Sequence, residues 1–295
     1  MSFNERVIEE LLVLDMGKTC CRKALACGLF WGAELLENRE IRSEFLIEEV
    51  AQYSSSILSK NFSSSPELQR VGRAGRYWFC VSAKTKVIWT VLQSADNSSD
   101  GRELSEIIGF KCSECAHAFL RGVFIAVGHI NNPDKSYHAE FSVPNEVRAM
   151  RLSAFLSSEL AEPKTVDRKG KIGVYYKRNM VITDLMYYLG GMKMAFEYSD
   201  ACIMKDIRNR ENRATNCVAS NISKSVGVSQ KHISAIEELT RTGRLFKLPE
   251  EIRYTARLRA ENPSATLSEL ARLHEPPISK SGLNRRLNRI LEELE

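Results

Sequence analysis

The sequence of 295 residues is 43% hydrophobic and 27% charged, which is typical of a globular protein with room for two or three domains that each bury a core. No apolar run reaches the roughly 18–20 residues of a membrane span, and the N-terminus lacks the basic-then-apolar layout of a signal peptide, so both are excluded and a cytoplasmic protein is predicted. Of the 42 basic and 37 acidic residues, 17 and 12 lie from Lys205 onward, which leaves 25 of each in the first 204 residues. All the excess positive charge therefore falls in the last third, as expected of a part that meets phosphates.

The first part of the chain predicts a mixed α+β unit, because helical periodicities alternate with short β-prone runs. In chain order, the predicted elements are an amphipathic helix from Glu5 to Leu14, a small-residue helix from Cys21 to near Asn38, a strand from Ser43 to Val50, a helix from Gln52 to Phe62, a hairpin from Val71 to Ala83 that turns at Arg73-Ala74-Gly75-Arg76, a helix from Lys84 to Gln93, and a polar linker from Ala95 to Gly101.

The next part of the chain repeats that order of elements. Its predicted elements are an apolar helical stretch from Cys115 to Asn132 that leads into a turn at Asn131-Asn132-Pro133-Asp134, a strand from Tyr137 to Val143, a helix from Pro144 to Leu160, a hairpin from Val166 to Lys177 with a glycine at its tip, and a helix from Asn179 to Leu189.

The two small-residue helices match each other at an offset of 94 positions. The matched residues are Cys21 with Cys115, Ala24 with Ala118, Gly28 with Gly122, and Phe30 with Phe124. At an offset of 95 the hairpins also match, with Gly75 on Gly170. Small residues at four-residue spacing allow a second backbone to approach closely. The chain is therefore predicted to hold two copies of one unit, whose small-residue helices pack together with Gly28 and Gly122 at the closest contact.

Beyond Ala201 the pattern is entirely helical. The predicted helices run from Lys205 to Leu239 with an interruption near Gly227, from Pro249 to about Ala260, from Thr266 to near His274, and from Ser279 or Ser281 to Leu294. Thr266 and Glu269 have the spacing of a capping box. A short helix, a tight turn at Pro276-Pro277 and a longer helix predict a helix-turn-helix unit, whose second helix enters the major groove of DNA.

The last helix is predicted to have an apolar stripe and an opposite polar face. With Leu283 at 0° and about 100° per residue, Leu287, Ile290, Leu291 and Leu294 fall within about 80° of it. The residues of this helix predicted to contact DNA are Lys280, Ser281, Asn284, Arg285, Arg286, Asn288 and Arg289. Arginine can pair bidentately with guanine and asparagine with adenine, whereas Lys280 and Arg286 at the flanks suit phosphates. The alternative is a solvated face on a structural helix.

The paired small-residue helices resemble the LAGLIDADG motif of homing endonucleases, in which two such helices form the seam of a pseudo-dimeric saddle that straddles DNA. The metal-binding acid of that family falls five residues after the motif glycine, at Ala33 and Val127 of this sequence, and neither can offer Mg²⁺ an oxygen ligand. Glu34 comes one residue late. Together with the C-terminal NRATNC and SKSGLNRRLNRI, the pattern resembles the WhiA family of bacterial DNA-binding regulators, in which the acid positions are generally lost. The resemblance covers nearly the whole chain.

Two further basic regions gain a role from this resemblance. Arg208 and Arg213 belong to an arginine- and asparagine-rich run that is a signature region of the WhiA family, and phosphate contact is predicted for them. The alternative is a hinge whose polar side chains bond to the backbone. Arg168, Lys169 and Lys171 lie in the second hairpin, and the corresponding strands of LAGLIDADG proteins line the DNA saddle. The alternative, ordinary solvated turns, is supported by the zero net charge of the first 204 residues.

The sequence predicts no catalytic residue, cofactor or metal site. Cys112 and Cys115 have CxxC spacing, but zinc needs about four ligands and no second CxxC or HxxxH follows. His117 is predicted to be structural, and nothing near His129 forms a nucleophile–base pair. Neither a phosphate-cradling nor a dinucleotide-binding glycine pattern is present.

The predicted fold class is α+β, a pseudo-twofold LAGLIDADG-like domain with two central packed helices and flanking sheets, followed by an all-α helix-turn-helix domain. The predicted boundaries are 1–97 and 98–200 for the two halves and 201–295 for the DNA-binding domain. The predicted function is non-enzymatic, sequence-specific regulation of transcription on the nucleoid, in sporulation or in cell division and chromosome segregation. The predicted partners are double-stranded DNA and RNA polymerase or another regulator, with no membrane and no small-molecule substrate.

Two alternatives stay open at this point. The first is an active homing endonuclease, which needs carboxylates where Ala33 and Val127 stand. The second is a front domain that binds a protein partner instead of DNA, which the zero net charge of that region allows.

Overall fold

A computed structural model of the protein describes residues 1–73, 76–168 and 170–294. The chain divides into two compact units, Met1–Asp206 (unit 1) and Ile207–Glu295 (unit 2). No helix in the described part of the chain has the length and apolarity needed to cross a bilayer. The domain boundaries predicted from the sequence stay predictions.

Unit 1 contains one series of strands and helices twice. Its elements are α1 (Phe3–Leu12), α2 (Thr19–Leu29), β1 (Glu34–Leu35), β2 (Glu40–Phe45), α3 (Glu48–Phe62), β3 (Glu67–Arg73), β4 (Arg76–Lys84), α4 (Lys86–Asp96), α5 (Leu104–Ile108), α6 (Glu114–Val127), β5 (Gly128–Ile130), β6 (Ala139–Val143), α7 (Glu146–Glu159), β7 (Lys164–Arg168), β8 (Lys171–Tyr176), α8 (Asn179–Leu189) and the start of α9 (Met192–Arg241).

The described residues of unit 1 form two antiparallel four-stranded sheets with the same strand order. The first sheet runs β1-β2-β4-β3 and the second runs β5-β6-β8-β7. Side chains alternate across each sheet, so that Ile41 and Phe45 of β2 and Phe141 of β6 are buried under the helices. The matching order confirms the internal repeat and the α+β class. The hairpin turn predicted at Ala74-Gly75 lies outside the described residues.

The seam of unit 1 is the contact between α2 and α6. A Cβ atom placed on Gly28 would lie 2.1 Å from the carbonyl oxygen of Phe119, and one placed on Gly122 would lie 2.2 Å from the carbonyl oxygen of Leu25. Both distances are far inside van der Waals contact. The predicted close approach at these two glycines is therefore confirmed.

A buried arginine joins the two halves of unit 1. Arg148, on α7, donates hydrogen bonds from Nε and Nη2 to the two carboxylate oxygens of Asp96 at 2.8 and 2.7 Å. Its Nη1 donates to the carbonyl oxygens of Trp31 and Ala33 at 2.7 Å each. The planar guanidinium suits this bidentate arrangement. Arg148 thus fixes the chain that follows α2 in the first half to a helix of the second half.

Several predicted boundaries of unit 1 are wrong. The helix predicted to reach Asn38 ends at Leu29, where the backbone of Phe30 leaves helical geometry at φ −102° and ψ 13°. α3 begins at Glu48, inside the predicted strand, where two acidic residues suit the positive end of a helix. α4 extends to Asp96, into the predicted linker, where Asp96 binds Arg148, and the short α5 was missed.

The predicted interruption near Gly227 is also wrong, since α9 continues through 50 residues from Met192 to Arg241. A glycine inside a helix costs about 1 kcal/mol relative to alanine, which weakens a helix without ending it. The helix also begins earlier than predicted. Met194, Ala195, Tyr198 and Cys202 lie in the core of unit 1, so tertiary packing supports this first part of α9.

The described part of unit 2 is helical. After α9 and a 3₁₀ turn at Arg244–Lys247 come α10 (Glu250–Glu261), α11 (Leu267–Arg272) and α12 (Lys280–Glu292). These helices share a separate core, which includes Leu239, Ala256, Leu270, Leu283, Leu287 and Ile290. The ends of α10, α11 and α12 all lie within one or two residues of their predicted positions.

Candidate nucleic-acid interface

α11 and α12 form the predicted arrangement of a short helix, a turn and a longer helix. At the start of α11, Glu269 N donates to Thr266 Oγ1 at 3.2 Å and Thr266 N donates to Glu269 Oε2 at 2.8 Å, which completes the predicted capping box. At the start of α12, Gly282 N donates to Ser279 Oγ at 3.0 Å. Between the helices, Ile278 N donates to the carbonyl oxygen of Ala271 at 3.1 Å. These bonds define where both helices begin and how the turn joins them.

α12 buries Leu283, Leu287 and Ile290 of its predicted apolar stripe and exposes most of its polar face, whereas Leu291 is half-buried and Leu294, beyond the end of α12, is exposed. Leu283, Leu287 and Ile290 are 0% exposed. The exposed residues predicted to contact DNA are Lys280, Ser281, Asn284, Arg285, Asn288 and Arg289. Arg285 and Asn288 are three positions apart, so they are neighbours on the helix surface. The side chains that can read guanine and adenine therefore lie side by side on the outer face of α12.

The cations of α12 differ in their ion pairs. Arg286 Nη2 lies 2.8 Å from Glu251 Oε2 on α10, and Arg289 Nη1 lies 3.4 Å from Glu292 Oε2. Within the described residues, Lys280 and Arg285 form no salt bridge. A phosphate contact by Arg286 has to compete with Glu251, whereas no carboxylate in the described part of the chain pairs with Lys280 or Arg285.

Two histidines are buried in unit 2. Burial lowers the pKa of His274, and the nearby charge of Arg286 lowers it further. Burial also lowers the pKa of His232, with a further contribution from Arg259. His274 packs against α10, where its Nε2 lies 3.4 Å from Thr255 Oγ1 and its ring contacts that of Tyr254. Both side chains are therefore held in the neutral form near pH 7.

The basic run in α9 is exposed. Arg208, Arg210, Asn212, Arg213 and Asn216 all belong to a stretch of α9 that is exposed on every side. The hinge alternative requires hydrogen bonds from these side chains to the backbone. Within the described residues, the side chains of Asn212, Arg213 and Asn216 form none. Phosphate contact by Arg208 and Arg213 stays a prediction.

The outer face of the second sheet has a central carboxylate. Arg168 binds Glu140 through Nε at 2.9 Å and Nη2 at 3.0 Å, and Glu140 also bonds His138 Nε2 at 2.9 Å. Lys171 is exposed at the start of β8, and Lys169 lies outside the described residues. The positive charge of Arg168 is thus balanced within the sheet, which weakens its attraction for a phosphate.

Comparisons with known proteins identify the family. The model of the WhiA LAGLIDADG-like domain matches residues 116–208, and that of the WhiA C-terminal HTH domain matches residues 212–293. A "Probable cell division protein WhiA" of Lachnoclostridium phytofermentans is 32% identical over 306 aligned residues, which cover 98% of this chain and 97% of that protein. The chain belongs to the WhiA family.

Two other WhiA proteins add to this comparison. The "Probable cell division protein WhiA" of Clostridium botulinum strain Hall is 38% identical over 180 residues, which cover 61% of this chain and 57% of the relative, or little more than half its length. The crystal structure of full-length DUF199/WhiA from Thermatoga maritima matches with a TM-score of 0.59 at 19% identity, covering 99% of this chain and 97% of that chain. This likeness shows that the fold is shared.

In this WhiA chain the positions of the endonuclease acids hold apolar residues. Ala33 is 1% exposed, and its carbonyl oxygen accepts a hydrogen bond from Arg148. Val127 ends α6, and its Cγ1 atom lies 2.6 Å from where a Cβ atom on Gly32 would stand. Glu34 is exposed on β1. Neither Ala33 nor Val127 offers an oxygen ligand to a divalent metal ion.

The sequence did not show which charged side chains meet across elements. Helical periodicity placed Arg286 at the flank of the polar face, but only the packing of α12 against α10 reveals Glu251 as its partner. The sequence argument against a metal site counted only Cys112 and Cys115 as ligands, whereas in the structure Cys20 and Cys21 lie beside them in one cluster. The signal that could have found this cluster is the match of Cys21 to Cys115 in the internal repeat.

Proposed function

We propose that this protein is a sequence-specific DNA-binding regulator of transcription whose reading element is α12. The observation that carries this proposal is the exposed pair Arg285 and Asn288 on a helix that buries Leu283, Leu287 and Ile290 on its opposite face. A helix presented in this way fits the major groove, where arginine reads guanine and asparagine reads adenine. The family model for a C-terminal HTH domain, which matches residues 212–293, supports the same role.

The charge distribution supports DNA as the partner of unit 2. The chain from Lys205 onward carries all the excess positive charge of the protein. Lys280, at the start of α12, and Arg208 and Arg213, on α9, are the proposed phosphate contacts. Such contacts set the register of the protein on the duplex and make binding depend on salt.

The proposed biological setting is cell division. The names of the relatives support it, since the WhiA proteins of both Lachnoclostridium phytofermentans and Clostridium botulinum are called probable cell division proteins. Chromosome segregation, sporulation, a nucleoid location and contact with RNA polymerase or another regulator belong to the same proposal and rest on the family resemblance.

The same proposal includes the absence of nuclease activity. A LAGLIDADG-type cleavage would require carboxylates that hold Mg²⁺ at the C-terminal end of the seam, and Ala33 and Val127 provide none. The purified protein, incubated with the DNA it binds and either Mg²⁺ or Mn²⁺, is expected to leave that DNA intact. Site-specific cleavage that persists through further purification would show that the alternative, an active homing endonuclease, is correct.

A second candidate function concerns unit 1 alone. The ion pair between Arg168 and Glu140 and the zero net charge of the first 204 residues favour a protein partner over DNA on the outer face of the sheets. In that case unit 1 connects DNA-bound unit 2 to another protein, and exchanging Arg168 would leave DNA binding unchanged.

Genome-wide mapping of bound sites tests the proposed function. The wild-type protein is expected to occupy a discrete set of sites that share a sequence, and Arg285→Ala is expected to lose that set while protein abundance stays the same. An Arg168→Ala strain is the matched control, because it removes a cation from unit 1. If Arg285→Ala retains the same sites at the same occupancy, α12 is not the reading element.

A further inference from the structure

Four cysteine side chains from distant parts of the sequence meet at one end of the seam. Cys20 and Cys21 lie in the first turn of α2, Cys115 lies in the first turn of α6, and Cys112 lies just before α6. Their four Sγ atoms all lie within 4.8 Å of one another. Among the described residues, the buried cysteines Cys27, Cys80 and Cys202 belong to no such group.

Three of the six distances between the sulfur atoms fit a single tetrahedral ion, and the other three are no longer than 4.8 Å. Cys112 Sγ lies 3.7 Å from Cys20 Sγ, 3.5 Å from Cys21 Sγ and 3.7 Å from Cys115 Sγ. Four sulfur ligands at about 2.3 Å from a tetrahedral Zn²⁺ ion stand about 3.8 Å apart. An iron–sulfur cluster divides its four cysteines among two or four iron atoms, so the sulfur atoms on different iron atoms stand farther apart than they do around a single ion.

The surroundings of the cluster suit a metal site. Cys21 and Cys115 are buried, whereas Cys20 and Cys112 are partly exposed, so an ion can enter from solvent. The main-chain N–H of Lys111 points to Cys115 Sγ at 3.5 Å, and such outer hydrogen bonds orient metal ligands.

From this geometry we infer that Cys20, Cys21, Cys112 and Cys115 bind one Zn²⁺ ion. Two ligands come from each half of unit 1, and Cys21 and Cys115 occupy matching positions in the repeat, so the ion ties the N-terminal ends of the two seam helices together. The site lies at the opposite end of α6 from Val127, roughly 20 Å away along the helix. It is therefore separate from the endonuclease acid positions, and its role is to hold the two halves together.

Metal analysis of the full-length protein tests this inference. The chain is purified under reducing conditions without chelator, and its metal content is measured by mass spectrometry. We expect about one zinc ion per chain in the wild type and a loss of most of it in Cys112→Ser and in Cys115→Ser. Cys217→Ser is the matched control, because Cys217 is a free thiol on the exposed stretch of α9, and this variant should keep its zinc.

A second measurement keeps the test valid if a serine variant folds poorly. The metal-free wild-type chain is titrated with Co²⁺, which is expected to saturate at one ion per chain and to give the intense visible bands of tetrahedral thiolate coordination. Zinc is then expected to displace the cobalt and to raise the melting temperature of unit 1. In the Cys112→Ser/Cys115→Ser double variant, zinc should leave the melting temperature unchanged.

Three results would overturn the inference. One is a wild-type chain that carries no zinc and gives no tetrahedral cobalt spectrum while its thiols are reduced. Another is zinc content that does not fall in Cys112→Ser or Cys115→Ser. The last is a bound iron–sulfur chromophore, or a disulfide among these four cysteines in the freshly purified protein, since either would assign the thiols to different chemistry.

Discussion

At the scale of single residues, two glycines determine how closely the halves of unit 1 approach. Gly28 and Gly122 each face the backbone of the other helix, so any side chain there would displace main-chain atoms instead of a flexible side chain. Main-chain atoms of a packed helix cannot yield independently, because they are held by the helical hydrogen bonds. The seam therefore depends on the absence of Cβ atoms at these positions.

Gly122→Ala is expected to destabilise unit 1 by about 1–3 kcal/mol, because overpacking a core contact forces backbone shifts. Urea unfolding followed by tryptophan fluorescence measures this change. The ring of Trp31 packs edge-on against that of Phe119 on α6, with 5.3 Å between the ring centroids, so its fluorescence reports on the contact between α2 and α6. Gly101→Ala is the control, because a Cβ atom there would meet nothing within 4 Å, and its effect is expected to stay within about 0.5 kcal/mol. Equal unfolding midpoints for Gly122→Ala and the wild type would mean that the helices do not pack as described.

At the scale of helices and strands, local signals predicted the elements whose ends are set by local chemistry. The capping box at Thr266, the proline before α10 and the serine before α12 set their starts to within about a residue, because the capping groups are adjacent in sequence. α9 could not be predicted in the same way. Its first part is stabilised by packing in the core of unit 1. Gly227 predicted an interruption from its low helix propensity, but the helix continues through it.

The helices of unit 2 are expected to lose stability in mild acid because of His232 and His274. Burial lowers the pKa of both in the folded protein, so the unfolded chain binds protons first as the pH falls below about 6.5. The stability of unit 2 is therefore complete above that pH and decreases as the pH falls toward the lowered pKa values. Hydrogen exchange in α10, α11 and α12, corrected for intrinsic rates, should show more frequent opening at about pH 5.5 than at about pH 7.5.

His232→Gln/His274→Gln tests whether these two side chains cause the acid sensitivity. The double variant should show a flatter dependence of opening on pH, whereas His129→Gln, at an exposed position of unit 1, should leave the dependence in unit 2 as it is in the wild type. An unchanged slope in the double variant would assign the acid sensitivity to other groups.

At the scale of the whole molecule, the internal repeat was visible in the sequence, but the contacts between its copies were not. The offset of 94 residues predicted two halves around paired helices, because periodic small residues have a direct geometric meaning. The bonds from Arg148 to Asp96, Trp31 and Ala33 and the four-cysteine cluster each join residues that are far apart in the chain. These residues meet because α7 and α6 pack against the first half of unit 1. Sequence patterns within one element do not reveal such packing.

On the candidate DNA surface, too, the sequence predicted the faces of a single helix but not the contacts between elements. The exposed and buried faces of α12 follow from helical periodicity, and the predicted assignment of Leu283, Leu287 and Ile290 to the buried face is confirmed. The ion pairs of Arg286 with Glu251 and of Arg168 with Glu140 depend on neighbouring elements, and they lower the expected contribution of both arginines to phosphate binding. Contact with DNA by each of the named residues stays a prediction.

Whether α12 reads bases is tested by the affinity of the full-length protein for a DNA site selected by its binding and for random duplex DNA. Arg285→Ala should weaken binding to the selected site by about 1–3 kcal/mol and affect random DNA much less. Lys280→Ala should weaken both alike and reduce the slope of affinity against salt by about one unit, as loss of one phosphate contact requires. If Arg285→Ala keeps full discrimination between the two DNAs while Arg168→Ala or Lys171→Ala abolishes it, the reading surface lies in unit 1 and α12 does not read bases.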